Sequence, residues 1–263
     1  MFIKYPRTCH LEGSRLQQGD TDYDQIPVSI LTTGELVWEE KIDGANCGIS
    51  FDENSNMILQ CRGHVLTGGH RENQFNQFKT WAAANLDDFY CILGTRYIMY
   101  GEWCFAKHSV FYDALPHYFL EFDIFDKVNN VWLGTDARHK LLIELPIISV
   151  PVIHRGYIQN RKGIENLIRP SLYKTANWKQ SLISQASKYN IDPNKSLSET
   201  DNSDMAEGLY LKQELNGIVI GRYKFVRYDF VQTIIESGTH WADRPILPNM
   251  LIEGFDIFSN IVT

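Results

Sequence analysis

Residues Val37–Phe51 read VWEEKIDGANCGISF, and the way this stretch folds decides the rest of the chain. ELVWEE (Glu35–Glu40) and NCGISF (Asn46–Phe51) have β-strand composition, and the Asp43-Gly44 pair between them marks a chain reversal. MILQCR (Met57–Arg62) follows after the polar turn DENSN, which extends the hairpin into an antiparallel meander. Lys41 therefore stands where a strand ends. Period-2 alternation puts Lys41 and Asp43 on one face, and Gly44 allows a backbone or ligand to come close. The ordinary reading is a solvated lysine beside a turn. The chemical reading is a nucleophile, which must lose its proton, so that its pKa has to drop from about 10.4 through burial or neighbouring positive charge.

The remainder of the chain extends the same pattern. RENQFNQFKTWAAANL (Arg71–Leu86) places Phe75, Phe78, Trp81 and Ala82 at helical spacing, and RYIMYGEWCF and HYFLEFDIFD are aromatic strands, the second turning through KVNN into VWLG. From about Asp136 to Tyr189 the chain reads as mainly helical around a short apolar strand, IISVPVI. DPNKSLSETDNSD reads as a loop, AEGLYLK and NGIVIGRYKF as strands, and VRYDFVQTIIES as a closing helix. The fold class is α+β, with antiparallel sheets and flanking helices. No linker divides the 263 residues, so one domain is expected over 1–263, carrying a mainly helical, basic insertion at about 155–200. With 44% hydrophobic residues the chain buries a real core, and its net charge of -7 confines any nucleic-acid contact to local basic patches. The five cysteines show no C-x-x-C pair, and neither an apolar leader nor a membrane span is present, which points to a cytoplasmic protein without membrane association.

Further residues with chemical potential follow in order: Arg62 in CRGH, Glu102 in YGEW, Phe122 and Asp123 in LEFDIFD, Glu207 and Gly208 in AEGLYLK, and Arg222, Lys224 and Arg227 in GRYKFVR. Singly, each has a plain structural explanation as strand surface or core. Jointly, from Glu40 to Arg227, their order and wording resemble the covalent nucleotidyltransferases, and within them the RNA-ligase branch. The nucleophile motif K-x-D-G corresponds to KIDG. The opening YPRTCHLEGSRLQQGD also resembles the start of bacterial RNA-ligase-like proteins.

That resemblance implies an ATP-grasp-like DNA/RNA ligase adenylation domain and an ATP-dependent RNA ligase. Lys41 takes AMP from ATP as a lysyl phosphoramidate, the AMP passes to an RNA 5′-phosphate, and a 3′-hydroxyl displaces it. Glu207 holds Mg²⁺ (or Mn²⁺). Glu40, Ile42 and Asn46 contact the nucleotide, Glu102 accepts the ribose hydroxyls, Phe122 stacks on adenine, and Arg62 lies near the ribose or the acceptor phosphate. Arg222 and Lys224 share a strand face, neutralise phosphates and depress the Lys41 pKa, with Lys224 favoured for the α-phosphate. The 36 residues after Arg227 are fewer than the roughly 50 that an OB barrel needs, so no OB domain is expected. Between Arg155 and Lys179, six Lys/Arg face one acidic residue with Tyr157, Tyr173 and Trp178 interleaved. Arg155, Arg161, Lys162, Arg169 and Lys174 are accordingly candidate RNA contacts, with a solvated helix face as the plain alternative. A nick-sealing DNA ligase, a capping-type enzyme and a non-catalytic nucleotide or RNA-end binder are the competing readings.

Overall fold

A computed structural model describes residues 2–16, 20, 25–230 and 245–258. Two six-stranded sheets form its frame. The first runs in the order β10 (Val152–Arg155), β3 (Glu35–Lys41), β11 (Gly208–Leu215), β12 (Ile218–Val226), β1 (Cys9–Leu11), β2 (Gln25–Ile26). In the second, β5 (Met57–Cys61), β4 (Ala45–Phe51), β6 (Tyr97–Trp103), β7 (Phe119–Asp126) and β8 (Val131–Trp132) are neighbours, and β9 (Ile148–Ser149) pairs with β7. Most pairings are antiparallel, whereas β1 lies parallel to both β12 and β2, and β9 parallel to β7. The turn after Lys41 thus carries the chain from one sheet to the other instead of closing a hairpin within one, so the expected three-strand meander keeps only its β4–β5 hairpin, and β6 takes the place beside β4 that β3 was expected to fill.

Helix α1 (Asn76–Ala84) presents Phe78, Trp81 and Ala82 to the core, as its spacing predicts. Their rings pack on Trp103 and Phe119 at centroid separations of 5.2 Å (Phe78 to Trp103, Trp81 to Phe119). Helix α2 (Leu86–Leu93) follows directly and buries Phe89 and Leu93 in the same cluster.

Three expectations change. IISVPVI splits at Pro151 into β9 and β10, which join different sheets; a proline cannot donate to a ladder, while its carbonyl accepts from Glu40 N–H at 3.2 Å. The 136–189 stretch holds three separate helices, α3 (Thr135–Leu141), α4 (Arg161–Leu167) and α5 (Trp178–Lys188). Part of the expected DPNKSLSETDNSD loop is helix α6 (Pro193–Ser198), because Asp192 caps the N–H groups of Asn194 and Lys195 and Pro193 is preorganised for the first turn. The closing helix expected over 226–237 falls largely outside the described residues. Among the described residues, no helix is long and apolar enough to cross a membrane.

A buried ionic network pins the two sheets together. Arg138 of α3 donates to Glu121 of β7 at 2.6 Å and to Glu39 of β3 at 2.9 Å. Lys212 of β11 bonds Glu39 at 2.9 Å and lies 3.6 Å from Asp123 of β7. Removing one partner of such an array strands a buried charge, at a cost of about 3–5 kcal/mol.

Candidate active site

Lys41 is the last residue of β3, and its register partner Gly208 is the first of β11, which brings the preceding residue, Glu207, beside the lysine. Lys41 Nζ donates to Glu207 Oε2 at 2.7 Å. Glycine is required at two of these turns. A Cβ at Gly208 would fall 1.9 Å from the Phe225 carbonyl oxygen, and one at Gly44 2.9 Å from that of Trp103. Both glycines let backbones approach at the entrance to a cleft between the sheets. Asp43 acts as a staple there, accepting from the N–H groups of Ser109 and Val110 at 2.7 and 2.8 Å.

The cleft encloses about 570 Å³. Lys41, Glu207 and Lys224 line it from the first sheet, Asn46, Glu102 and Phe122 from the second. Glu40, Ile42 and Arg62 complete the set expected from sequence that lines it. Asn46 Oδ1 is buried with no hydrogen-bond partner, the mark of an acceptor kept for a ligand group. The Glu40 carboxylate is already engaged, accepting from Ser171 Oγ at 2.5 Å and Leu172 N–H at 3.2 Å, and burial still raises its pKa.

Electrostatics in the cleft reverse one expectation. Burial pulls the Lys41 ammonium down, but the Glu207 carboxylate and its hydrogen bond, with Asp43 and Glu102 beyond, outweigh it and hold the pKa above its ordinary value. Lys224 is the cation that shifts down, through burial and then repulsion from Lys41. Burial, with Asp43 nearby, pushes the carboxyls up, Glu102 to about 8 and Glu207 to about 7, against the pull of Lys41. In the unliganded protein the amine is thus held protonated. Its release requires something that competes for Glu207.

The Glu102 shift makes a stability prediction. A carboxyl whose folded pKa exceeds its unfolded one contributes stability below about pH 4.5, and that contribution is lost as pH climbs towards 8. Glu102→Gln removes this penalty. Urea unfolding should show the variant more stable than the parent by about 2 kcal/mol at pH 8.5, at ~1.4 kcal/mol per pKa unit discounted for partial exposure, with the difference vanishing near pH 5.

Arg222 does not join the lining residues. Lys224 pairs with Tyr210 and Arg222 with Lys212, one rung deeper between the sheets. There Arg222 Nε donates to Asp123 at 2.8 Å and its guanidinium lies 4.1 Å from the Trp132 ring centre. Arg227 is turned away as well, bonded to Ala206 O at 3.0 Å and paired with Asp201 and Asp229.

The basic segment does not form one face. Arg155 is tied to Glu35 and Asp136 at 3.0 and 2.5 Å, and Arg161 to Glu165 at 2.7 Å. Lys174 bonds Ser203 O at 2.6 Å and sits 4.0 Å from the Trp178 ring centre. Tyr173 and Trp178, read as stacking platforms, are buried, because the segment folds its aromatics inward. Lys162 and Arg169 are exposed, as is Tyr157.

Sequence reasoning left the opening segment without a role, yet Tyr5, Pro6 and Thr8 line the cleft. Tyr5 OH donates to Asp123 at 2.5 Å and lies 2.7 Å from Tyr210 OH. Asp20 lies 3.9 Å from Lys224 Nζ and 2.9 Å from His10. His108, on the opposite wall, was also missed.

Among the described residues no cluster of three or more His, Cys, Asp or Glu could by itself hold a metal. Glu207, a carboxylate lining the cleft, instead suits Mg²⁺ or Mn²⁺, which are held by one or two carboxylates together with substrate phosphates and water.

Comparison with known proteins gives a concordant result. The RNA ligase family model matches residues 34–226. No curated protein matches. Among solved structures, a mutant Naegleria gruberi RNA ligase with AMP and Mn is similar at a TM-score of 0.50 and 15% identity, over 76% of this chain and 51% of that one. A second mutant of that ligase, with ATP and Mn, gives the same values. The chain spans about half the length of these solved structures, and at such identity the likeness concerns the fold.

Proposed function

The chain belongs to the RNA ligase family, and from that premise we propose that it is an ATP-dependent RNA ligase working through a covalent lysyl-AMP, in a cytoplasmic setting and as one adenylation domain over 1–263. The observation that carries this reading is the convergence of Lys41, Glu102 and Lys224, from three strands of two sheets, and Glu207, the residue before β11, on one cleft that also holds the partnerless Asn46 Oδ1.

The chemistry assigned to each residue follows from its place. ATP enters with adenine against Phe122 and Ile42, its ribose towards Asn46 and Glu102, and its phosphates between Lys41 and Lys224. Glu102, protonated at neutral pH, donates to one ribose hydroxyl while Asn46 accepts from the other. Glu207 would hold a divalent cation, which would supply charge neutralisation at the phosphates, and a Glu207 carboxylate so engaged would no longer retain the Lys41 proton. Lys41 then gives its proton to solvent, which reaches its partly exposed side chain, and attacks the α-phosphorus; a P–N bond forms as the bond to pyrophosphate breaks. Lys224 remains charged against the phosphate oxygens. In the second step an RNA 5′-phosphate oxygen displaces the lysine, and in the third a 3′-hydroxyl displaces AMP. Arg62, exposed at the rim, is the residue assigned to the incoming 5′-phosphate. Arg222 holds Asp123, and through it Tyr5, as a wall of the cleft.

Intact mass spectrometry after incubation with ATP and Mg²⁺ tests the first step: the protein gains one adenylate. A 5′-phosphorylated, 3′-hydroxyl RNA tests the rest. A protein that binds ATP reversibly and gains no mass is a binding module, and equal labelling by ATP and GTP is the mark of a capping-type enzyme. RNA contact is assigned to α4 and its flank, where Arg161, Lys162 and Arg169 are exposed. Reversing Arg161 and Lys162 to glutamate should leave lysyl-AMP formation near normal while weakening RNA binding. The salt slope of single-strand affinity should fall by about 0.7 for each phosphate that is no longer neutralised, measured by filter binding across a salt series.

A further inference from the structure

Two of the five cysteines face each other across the meander beside the cleft. Cys47 of β4 and Cys61 of β5 are direct register partners. The Cys61 N–H donates to His64 O at 2.9 Å, away from β4, so the two residues do not exchange ladder hydrogen bonds. In such a pair the Cα atoms lie about 4.5 Å apart with side chains close, inside the roughly 4.4–6.8 Å that a disulfide spans.

The two thiols have unlike surroundings. Cys47 is fully buried and its Sγ donates to Gly101 O at 3.4 Å. Cys61 is partly exposed on the cleft wall, with Sγ beside the His64 ring, 3.2 Å from Nδ1 and 3.9 Å from Nε2. The other ring nitrogen, Nε2, lies 3.2 Å from Glu72 Oε1. Glu72 is buried and fixed by Lys79 at 2.5 Å and by the N–H groups of Thr67 and Gly68 at 3.2 and 2.8 Å. A sulfur, an imidazole in reach of its proton and an anchored carboxylate orienting that imidazole make an assisted nucleophile. An accessible, assisted thiol with a second cysteine in reach is the arrangement of a redox-responsive pair.

We propose that Cys61 and Cys47 form a reversible oxidation site whose oxidant is hydrogen peroxide and whose closure reshapes the cleft wall that Cys61 lines. Cys61 Sγ attacks one peroxide oxygen and the O–O bond breaks. The departing hydroxide takes the thiol proton by way of His64, leaving water and a sulfenic acid. Cys47 Sγ then attacks Cys61 Sγ, the S–O bond breaks, and a second water carries away the Cys47 proton. Two thiols lose two electrons in total and one peroxide becomes two waters. Asn46 and Arg62, the chain neighbours of the two cysteines, both line the cleft. Turning Cys61 Sγ towards β4 takes it from His64, whose turn is then held by the Cys61 N–H to His64 O bond and the Glu72 contact. Loss of adenylylation on closure rests on the ligase reading; bond formation does not.

The test treats the purified full chain with hydrogen peroxide, alkylates remaining thiols and maps them by mass spectrometry. The expected product is a Cys47–Cys61 linked peptide, with intact mass lower by about 2 Da and restored by dithiothreitol. Self-adenylylation falls about tenfold and recovers on reduction. Cys47→Ser stops at the sulfenic acid, trapped on Cys61 by dimedone, and Cys61→Ser keeps its adenylylation in peroxide. His64→Ala slows Cys61 oxidation about tenfold, measured against the exposed Cys9 and Cys91 of the same molecule. Oxidation of Cys9 or Cys91 ahead of Cys61, or full alkylation of Cys47 and Cys61 after treatment, overturns the site. A linked protein that adenylylates as fast as the reduced one overturns the gating. A linked peptide from a protein that never adenylylates upholds the site and overturns the ligase reading instead.

Discussion

Lys41→Ala gains no adenylate from ATP and Mg²⁺, and Lys41→Arg does not recover it. On the proposed mechanism the amine is the group that forms the P–N bond, and among the described residues no other amine is placed to substitute: Lys224, which lines the same cleft, starts from β12 beside Asp20. Arginine keeps the positive charge opposite Glu207 but stays protonated at every accessible pH and has no lone pair to offer. Loss of activity together with loss of fold would be uninformative, so thermal melting accompanies the assay. The fold is expected to hold. Without Lys41 the Glu207 carboxyl, already raised to about 7, takes up a proton and avoids a stranded charge. An alanine variant that still gains one adenylate would remove Lys41 from the mechanism.

Glu207→Gln should lose lysyl-AMP formation by at least about 100-fold, the scale on which removing one preorganised electrostatic group acts. Its residual activity carries a second signature. Glu207 is the main influence holding the Lys41 pKa up, and a neutral amide no longer does so. The alkaline rise of the residual rate therefore moves to lower pH than in the parent. A rate–pH profile measured by mass spectrometry separates the two effects. An unshifted profile would mean that the 2.7 Å contact does not govern the lysine's proton.

The candidate site was legible in the order of motifs that resemble the RNA-ligase branch, while strand alternation by itself singled out only Lys41 with Asp43 and the shared face of Arg222 and Lys224. Lys41, Glu102, Glu207 and Lys224 each sit at a fixed offset from a turn or a glycine, and sheet pairing brings such positions together. Spacing also correctly put Arg222 and Lys224 on one face, but it contains no measure of depth. Which of the two reaches the cleft is decided by Asp123, across the gap between the sheets, which claims the deeper one. A similar limit applies to Lys174 and Trp178. A basic, aromatic segment has the same composition whether its rings face nucleic acid or, as here, Asp204 and the core, where Trp178 Nε1 bonds Asp204 at 2.7 Å. Tyr5 and Thr8 gave no local signal at all, since their place depends on a parallel pairing between the two ends of the fold. The rise in the Lys41 pKa was unreadable for a related reason: Glu207, Asp43 and Glu102, from separate segments, gather around it, and together they outweigh the burial that would lower it.

That pairing of the ends has a consequence for how the protein comes into being on the ribosome. Tyr5 and Tyr210, hydrogen-bonded across the cleft, are 205 positions apart. At the usual speed of synthesis, about 5–20 residues per second, the segment that carries Tyr5 waits roughly ten to forty seconds for its partner strands to emerge. β4, β5 and β6 are all made within the first half of the chain, so the second sheet can assemble early around α1 and the aromatic core. The first sheet must wait for β11 and β12, and with it both Glu207 and Lys224. A nascent chain halted before those strands has Lys41 without Glu207 or Lys224, so on the proposed mechanism the capacity to react with ATP arises only as β11 and β12 dock.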